Sequence, residues 1–159
     1  MSRHFKSSPE EGASLDVFRT ADLLARAPTQ VIKAEHLSAT QYNVLRILRG
    51  APEGLACGEI ANRMITRDPD ITRLLDRLEK RGLVSRARQT TDRRTVLTLI
   101  SPAGLDLLAR LDKPIQDVHR RQLGHLGPAR LRALSELLAD CRSHLDSSAH
   151  LSKPKAVRA

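Results

Sequence analysis

Between Pro69 and Ile100 the chain changes period, and that change limits the possible folds more than any other feature. Ile71, Leu74, Leu75 and Leu78 recur at i, i+3, i+4 and i+7, the spacing of a helix with one apolar stripe. Asp68 as N-cap, with Pro69 at the first helical position, predicts where this helix begins, and Gly82 predicts its end. At 100° per residue the face opposite the stripe is centred on Pro69, Arg73 and Lys80, flanked by Thr72, Asp76 and Arg77. Leu83 and Val84 then re-enter the core. A strand runs to about Arg88, QTTDRR turns, and Thr95–Ile100 returns in the β-branched residues that strands favour.

Upstream, Leu55 and Ala56 suffice for one short paired strand, and a helix is predicted from Gly58 to Met64. A short helix, a turn, a second helix with a basic outer face and an Arg-tipped hairpin thus fall between Leu55 and Gly104. That is the layout of a winged helix-turn-helix, and it makes double-stranded DNA the expected partner. Long helices flank this module. Leu15, Phe18, Leu23, Leu24, Val31 and Ile32 predict a first helix over about 13–34, disturbed near Pro28. Ser38 caps a second, with Tyr42, Leu45 and Leu48 on one face and Gly50 at its close. Ser101 and Pro102 start another, with Leu105, Leu108 and Leu111 apolar, a kink at Pro114, and Ile115, Val118 and Leu123 continuing it. Gly127 and Pro128 open the last, whose stripe is Leu131, Leu134, Leu137, Leu138, Cys141 and Leu145.

The expected fold class is therefore mainly α: a winged helix-turn-helix with a small β-hairpin wing and long N- and C-terminal dimerisation helices. Residues 1–12 are expected to be a mobile segment and 147–159 a mobile basic tail. The domain spans 13–146, with the reader over about 57–82, the wing over about 84–100, and dimerisation helices over about 13–34 and 102–146. A winged module this small cannot cover all three apolar stripes, so a homodimer is expected to bury the surplus.

Charge and composition agree. Lys and Arg number 27 against 18 Asp and Glu, a net charge of +9 that favours polyanions. Aromatic residues are only 2%, too few for the stacking platforms of single-strand and RNA binders. No apolar run approaches the ~18 residues of a membrane span, so no membrane partner and a cytoplasmic location are expected. Cys57 and Cys141 make no CxxC pair, the six histidines have no ligand spacing, and there is no phosphate loop or nucleophile elbow. Neither enzyme activity, cofactor nor metal is expected.

These blocks resemble the MarR-type family of bacterial transcription regulators. The resemblance runs from about Leu15 to Leu145 and is carried by LSATQYNVLRIL, GEIANRM, ITRLLDRLEKRGLVSR, the DRR of the wing and the SPAG that opens the next helix. It implies a homodimer with intertwined terminal helices, two reader helices set for successive major grooves of a pseudo-palindromic operator, and repression released by a small-molecule effector. The chain departs from the family pattern at Ile65 and Thr66 in the turn, and at Asp68.

Arg73 is the candidate base reader, because a guanidinium can take guanine O6 and N7 together; the competing role is a solvated pair with Asp76. Thr72 and Arg77 flank it as candidate phosphate contacts, beside Pro69 at the helix start. Asp70 could accept from a cytosine amino group or simply answer the helix dipole. At the hairpin tip Asp92, Arg93 and Arg94 suit a narrow minor groove, and by resemblance Arg94 inserts while Asp92 braces it. Two alternatives are a weakly specific architectural DNA-binding protein, which the charge also suits, and an oxidant-sensing regulator acting through Cys57, whose thiolate backbone N–H groups could stabilise.

Overall fold

The computed structural model describes residues 8–66, 69–88 and 95–151, with side chains as far as 147. The chain divides into two compact units after Val118. Its helices are α1 (Pro9–Ala34), α2 (Ala39–Arg49), α3 (Cys57–Arg63), α4 (Ile71–Lys80), α5 (Pro102–Leu123) and α6 (Gly127–Leu151). Strands β1 (Leu55–Ala56), β2 (Val84–Arg88) and β3 (Val96–Ile100) form an antiparallel sheet in the order β1-β3-β2. The mainly α winged arrangement expected from the sequence is present.

In the first unit the core lies where the periodicity puts it. Leu45 and Leu48 of α2, Ile60 of α3, Leu75 and Leu78 of α4 and Leu108 of α5 are fully buried together. Ser38 caps α2 through a reciprocal box: its hydroxyl accepts from Gln41 N at 3.1 Å, and Gln41 Oε1 accepts from Ser38 N at 2.9 Å. Leu55 and Ala56 pair with Thr98 and Leu97, so the short strand closes the sheet on the side away from β2.

Several boundaries differ from the sequence expectation. Helix α1 begins at Pro9, inside the segment expected to be mobile, because the Ser8 hydroxyl accepts from Glu11 N at 3.2 Å while Glu10 and Glu11 meet the positive end of the helix dipole. It runs through Pro28 without a break; the Thr29 hydroxyl donates to Ala25 O at 2.7 Å in the same turn. Pro114 likewise lies inside α5, whose buried line is Leu107, Leu108, Leu111, Ile115 and Val118, leaving Leu105 exposed. Helix α3 starts one residue early, which puts Cys57 in its first turn. The last helix reaches Leu151, past the expected start of the tail at 147.

The second unit, the last residues of α5 from His119, a 3-10 turn at Gly124–Leu126 and then α6, has a different character. No residue from 127 to 147 is buried, and Leu134, Leu137, Leu145 and Cys141 of the expected stripe are exposed. At the other end of the chain α1 buries only Ile32 and exposes Leu15, Phe18 and Leu23.

Candidate nucleic-acid interface

The turn that joins the two reader helices is pinned from α2, where Asn43 Oδ1 accepts from Ile65 N at 3.0 Å. Helix α4 then presses Leu74, Leu75 and Leu78 into the core and leaves Thr72, Arg73, Arg77 and Lys80 exposed. Its start differs from the expectation. Pro69 and Asp70 lie in a turn, and Asp70 is the N-cap, its carboxylate accepting from Arg73 N at 3.3 Å. The reason is that Asp70 offers the same capping oxygen nearer the stripe. Asp68 lies outside the described residues, as do Asp92, Arg93 and Arg94, which the sequence is expected to place at the hairpin tip.

The far end of α4 is locked in a Schellman motif. Gly82 has φ +69°, a conformation glycine adopts at no steric cost, and it donates to Glu79 O at 2.8 Å while Leu83 donates to Leu78 O at 3.0 Å. The SPAG motif fastens onto this corner. Ser101 Oγ donates to Gly82 O at 2.6 Å and accepts from Gly104 N at 3.0 Å, so one hydroxyl starts α5 and ends α4. A Cβ at Gly104 would overlap the Leu83 carbonyl oxygen and stand 2.8 Å from Ile100 Cγ1, which accounts for the glycine there.

Charges on the reader are sorted by partner. Arg73 Nε lies 3.1 Å from Asp70 Oδ2, so its counter-ion is the capping acid and not Asp76. Asp76 instead meets Arg86 of β2, whose Nη2 donates to Asp76 Oδ1 at 2.6 Å while its Nε lies 3.6 Å from Glu79 Oε2. Among the described residues no carboxylate pairs with Arg77 or Lys80. The outer face of α4 is thus cationic. Its side towards β2 is neutralised.

Three further cations, not among the residues expected at the site, tie elements together. Arg86 occupies an inward position of β2, on the same face as buried Val84, and an arginine there demands a partner. Arg81, the last residue of the reader helix turn, donates to His36 O at 2.6 Å and Glu35 O at 3.3 Å, satisfying the carbonyls at the end of α1. Arg110 of α5 pairs with Glu35 at 3.1 Å. The period-2 parity of VSRAR was the available signal for Arg86; for the other two only the fold supplies it.

A polar notch of about 90 Å³ lies between the start of α2 and α4, lined by Ser38, Thr40, Asp70, Arg73 and Arg77 among others. That is well below the ~300 Å³ at which small-molecule pockets begin. Among the described residues no cluster of His, Cys, Asp or Glu could hold a metal, and no helix is long and apolar enough to cross a membrane.

Comparison with known proteins agrees with this geometry. The MarR family description matches residues 37–96, from just before α2 to the first residue of β3. The transcriptional regulator PecS of Dickeya dadantii is 30% identical over 129 residues, covering 80% of this chain and 78% of PecS. The homoprotocatechuate degradative operon repressor of Escherichia coli is 26% identical over 110 residues, 69% of this chain and 74% of the repressor. Among solved structures, a MarR transcription factor from Planctomyces limnophilus is 42% identical and superposes with a TM-score of 0.63, over 86% of this chain and 98% of that one. The chain belongs to the MarR family, and it is a DNA-binding transcription regulator and not an enzyme.

Proposed function

We propose that the protein acts in the cytoplasm as a homodimeric repressor: two copies set their α4 helices into successive major grooves of a pseudo-palindromic operator, about 34 Å apart, and block a promoter. The observation that carries this reading is the division of α4 into a leucine face committed to the core and an opposite face of Thr72, Arg73, Arg77 and Lys80. Arg73 reads a base, Thr72 and Arg77 hold phosphates, and Pro69 and Asp70 set the height at which the helix enters the groove. Asp92, Arg93 and Arg94 are the minor-groove part of the same reading. The exposed stripes of α1 and α6 form the dimer contact, with Phe18 at 72% and Leu137 at 65% exposure. A small-molecule effector releases the operator by favouring a spacing of the two α4 helices that no longer fits the grooves.

The test is a pair of substitutions on an operator selected from random DNA. Arg73→Ala should cost about 1–3 kcal/mol and flatten preference at one position per half-site, whereas Arg77→Ala should weaken every sequence alike and lower the salt slope by about one per subunit. Unchanged base discrimination by Arg73→Ala would remove it from the reading. A weakly specific architectural protein would show no selected operator at all.

A further inference from the structure

We propose that Arg86 is a positioning residue of the reader: it fixes strand β2 against helix α4, so that wing and helix meet one DNA site together, and it does this without touching DNA. The inference rests on the DNA-binding reading above and adds to it the element that couples its two halves.

Arg86 is placed for this and for little else. Its side chain is 27% exposed, against 76% for Arg73, and it extends from the core side of β2 towards α4. There it meets acceptors from successive turns of the helix: Thr72 O at 3.5 Å, Asp76 Oδ1 at 2.6 Å and Glu79 Oε2 at 3.6 Å. Positions 72, 76 and 79 follow i, i+4 and i+7, one line along the flank of α4. A planar guanidinium can address two carboxylates and a carbonyl from one fixed orientation, which an ammonium cannot. Arg86 also pairs in register with Thr98, the buried polar residue of β3, and the ladder from Val84↔Ile100 to Arg88↔Val96 makes the two strands one piece. Holding Arg86 therefore holds both strands, β2 and β3.

The electrostatics points the same way. Asp76 and Glu79 are acids on a helix that approaches phosphates, and uncompensated they would repel the ligand. Turned towards Arg86, they become the anchor of the wing. Strands fixed in this way against α4 need no repositioning when DNA arrives, so that ordering entropy is not charged against binding. A phosphate anchor would behave otherwise. It would add one counterion to the salt dependence for each subunit and would serve all sequences equally.

The experiment measures affinity for the selected operator and for an unrelated duplex of equal length, each over a range of salt, for the full chain and three variants. Arg86→Met keeps the unbranched stem and should lose about tenfold on the operator while the unrelated duplex changes by less than about twofold, with the salt slope unchanged. Arg86→Lys, which keeps the charge but not the fork, should fall between. Asp76→Asn removes a negative charge near DNA, yet should also weaken the operator complex. Circular dichroism checks that each variant is folded, and Asp76→Asn and Arg86→Lys carry the test if Arg86→Met is not. A salt slope lowered by about one per subunit, an equal loss on both duplexes, or tighter operator binding by Asp76→Asn would each overturn the proposal. Failure of the underlying reading is recognised separately, in the unsubstituted protein, as absence of any preference between the two duplexes.

Discussion

Helices α4 and α6 both carry leucines at helical spacing, yet Leu74, Leu75 and Leu78 of α4 are buried within their own chain while Leu137 and Leu145 of α6 are each 65% exposed. The difference is one of what surrounds each stripe. Short connections bring α2, α3 and β2 over the ten residues of α4, so its apolar face is covered before any partner is present. Helix α6 has 25 residues and none of those from 127 to 147 is buried. A helix in water draws most of its stability from packing an amphipathic face, so a stripe left open over several turns asks for a second surface. Periodicity identifies the apolar face. It says nothing of whether the cover comes from the same chain or another.

The largest expected effect comes from breaking that distinction directly. Leu137→Asp puts a charge into the α6 stripe; if the stripe is the contact between copies, the dimer dissociates and each reader helix binds alone. Losing the linkage between two half-sites should reduce operator affinity about 100-fold or more, with the first unit still folded. Sedimentation velocity and operator titration read the two consequences. A dimer that survives the substitution would mean that α6 is not the contact. Leu78→Ala in α4 is the matched control: it should cost about 2–5 kcal/mol of stability, as expected for a side chain buried in its own chain.

The same contrast explains what could be read from the residues alone. The α2 cap at Ser38, the end of α4 at Gly82 and the two-residue strand at Leu55 were legible, because each depends on local chemistry within a few positions. The start of α1 is misjudged because apolar periodicity marks only Leu15 onward, and that of α4 because Asp68 and Asp70 both offer a capping oxygen; only the fold selects Ser8 and Asp70. The basic face of α4 was legible from its angle to the leucines. The partner of Arg73 was not, since Asp70 and Asp76 both lie within reach along a helix, and the choice is made by Arg86 arriving from the sheet to take Asp76. Charge pairing across elements is tertiary information.

A smaller effect sharpens the first half of the comparison. Because the first unit is packed against itself, it should tolerate added volume poorly where backbones approach, and Gly104 is such a place. Gly104→Ala should destabilise by about 1–3 kcal/mol, since the methyl must displace the Leu83 carbonyl and with it the end of α4. Urea unfolding measures the loss. Gly58, also in a helix of this unit but with nothing within 4 Å of a Cβ, should accept alanine without loss. Equal costs at the two positions would contradict the account of close packing.

The smallest effect concerns Asp70, where the reader turns from core to solvent. Its carboxylate does two jobs, capping α4 through Arg73 N and pairing with the Arg73 guanidinium. Asparagine caps a helix about as well as aspartate, so Asp70→Asn keeps the cap and removes the ion pair to Arg73. With Arg73 76% and Asp70 48% exposed, the pair is solvated, and folding stability should change by less than about 0.5 kcal/mol. Asp70→Ala also loses the cap and should cost about 1 kcal/mol. DNA binding separates the two roles weighed for this residue, because they differ in sign. If Asp70 is cap and counter-ion, Asp70→Asn frees Arg73 and removes a repulsive charge, so binding to every duplex tightens by about two- to fivefold and the gain shrinks as salt rises. A carboxylate that accepts from a cytosine would instead be missed at one base pair, and the variant would bind the operator more weakly while leaving other sequences unaffected. The contact to Arg73 N favours the first outcome, since an oxygen already accepting from the helix terminus is less available to a cytosine amino group. Operator titrations at low and high salt with the asparagine variant decide between them, and weaker, position-specific binding would return Asp70 to the list of base readers.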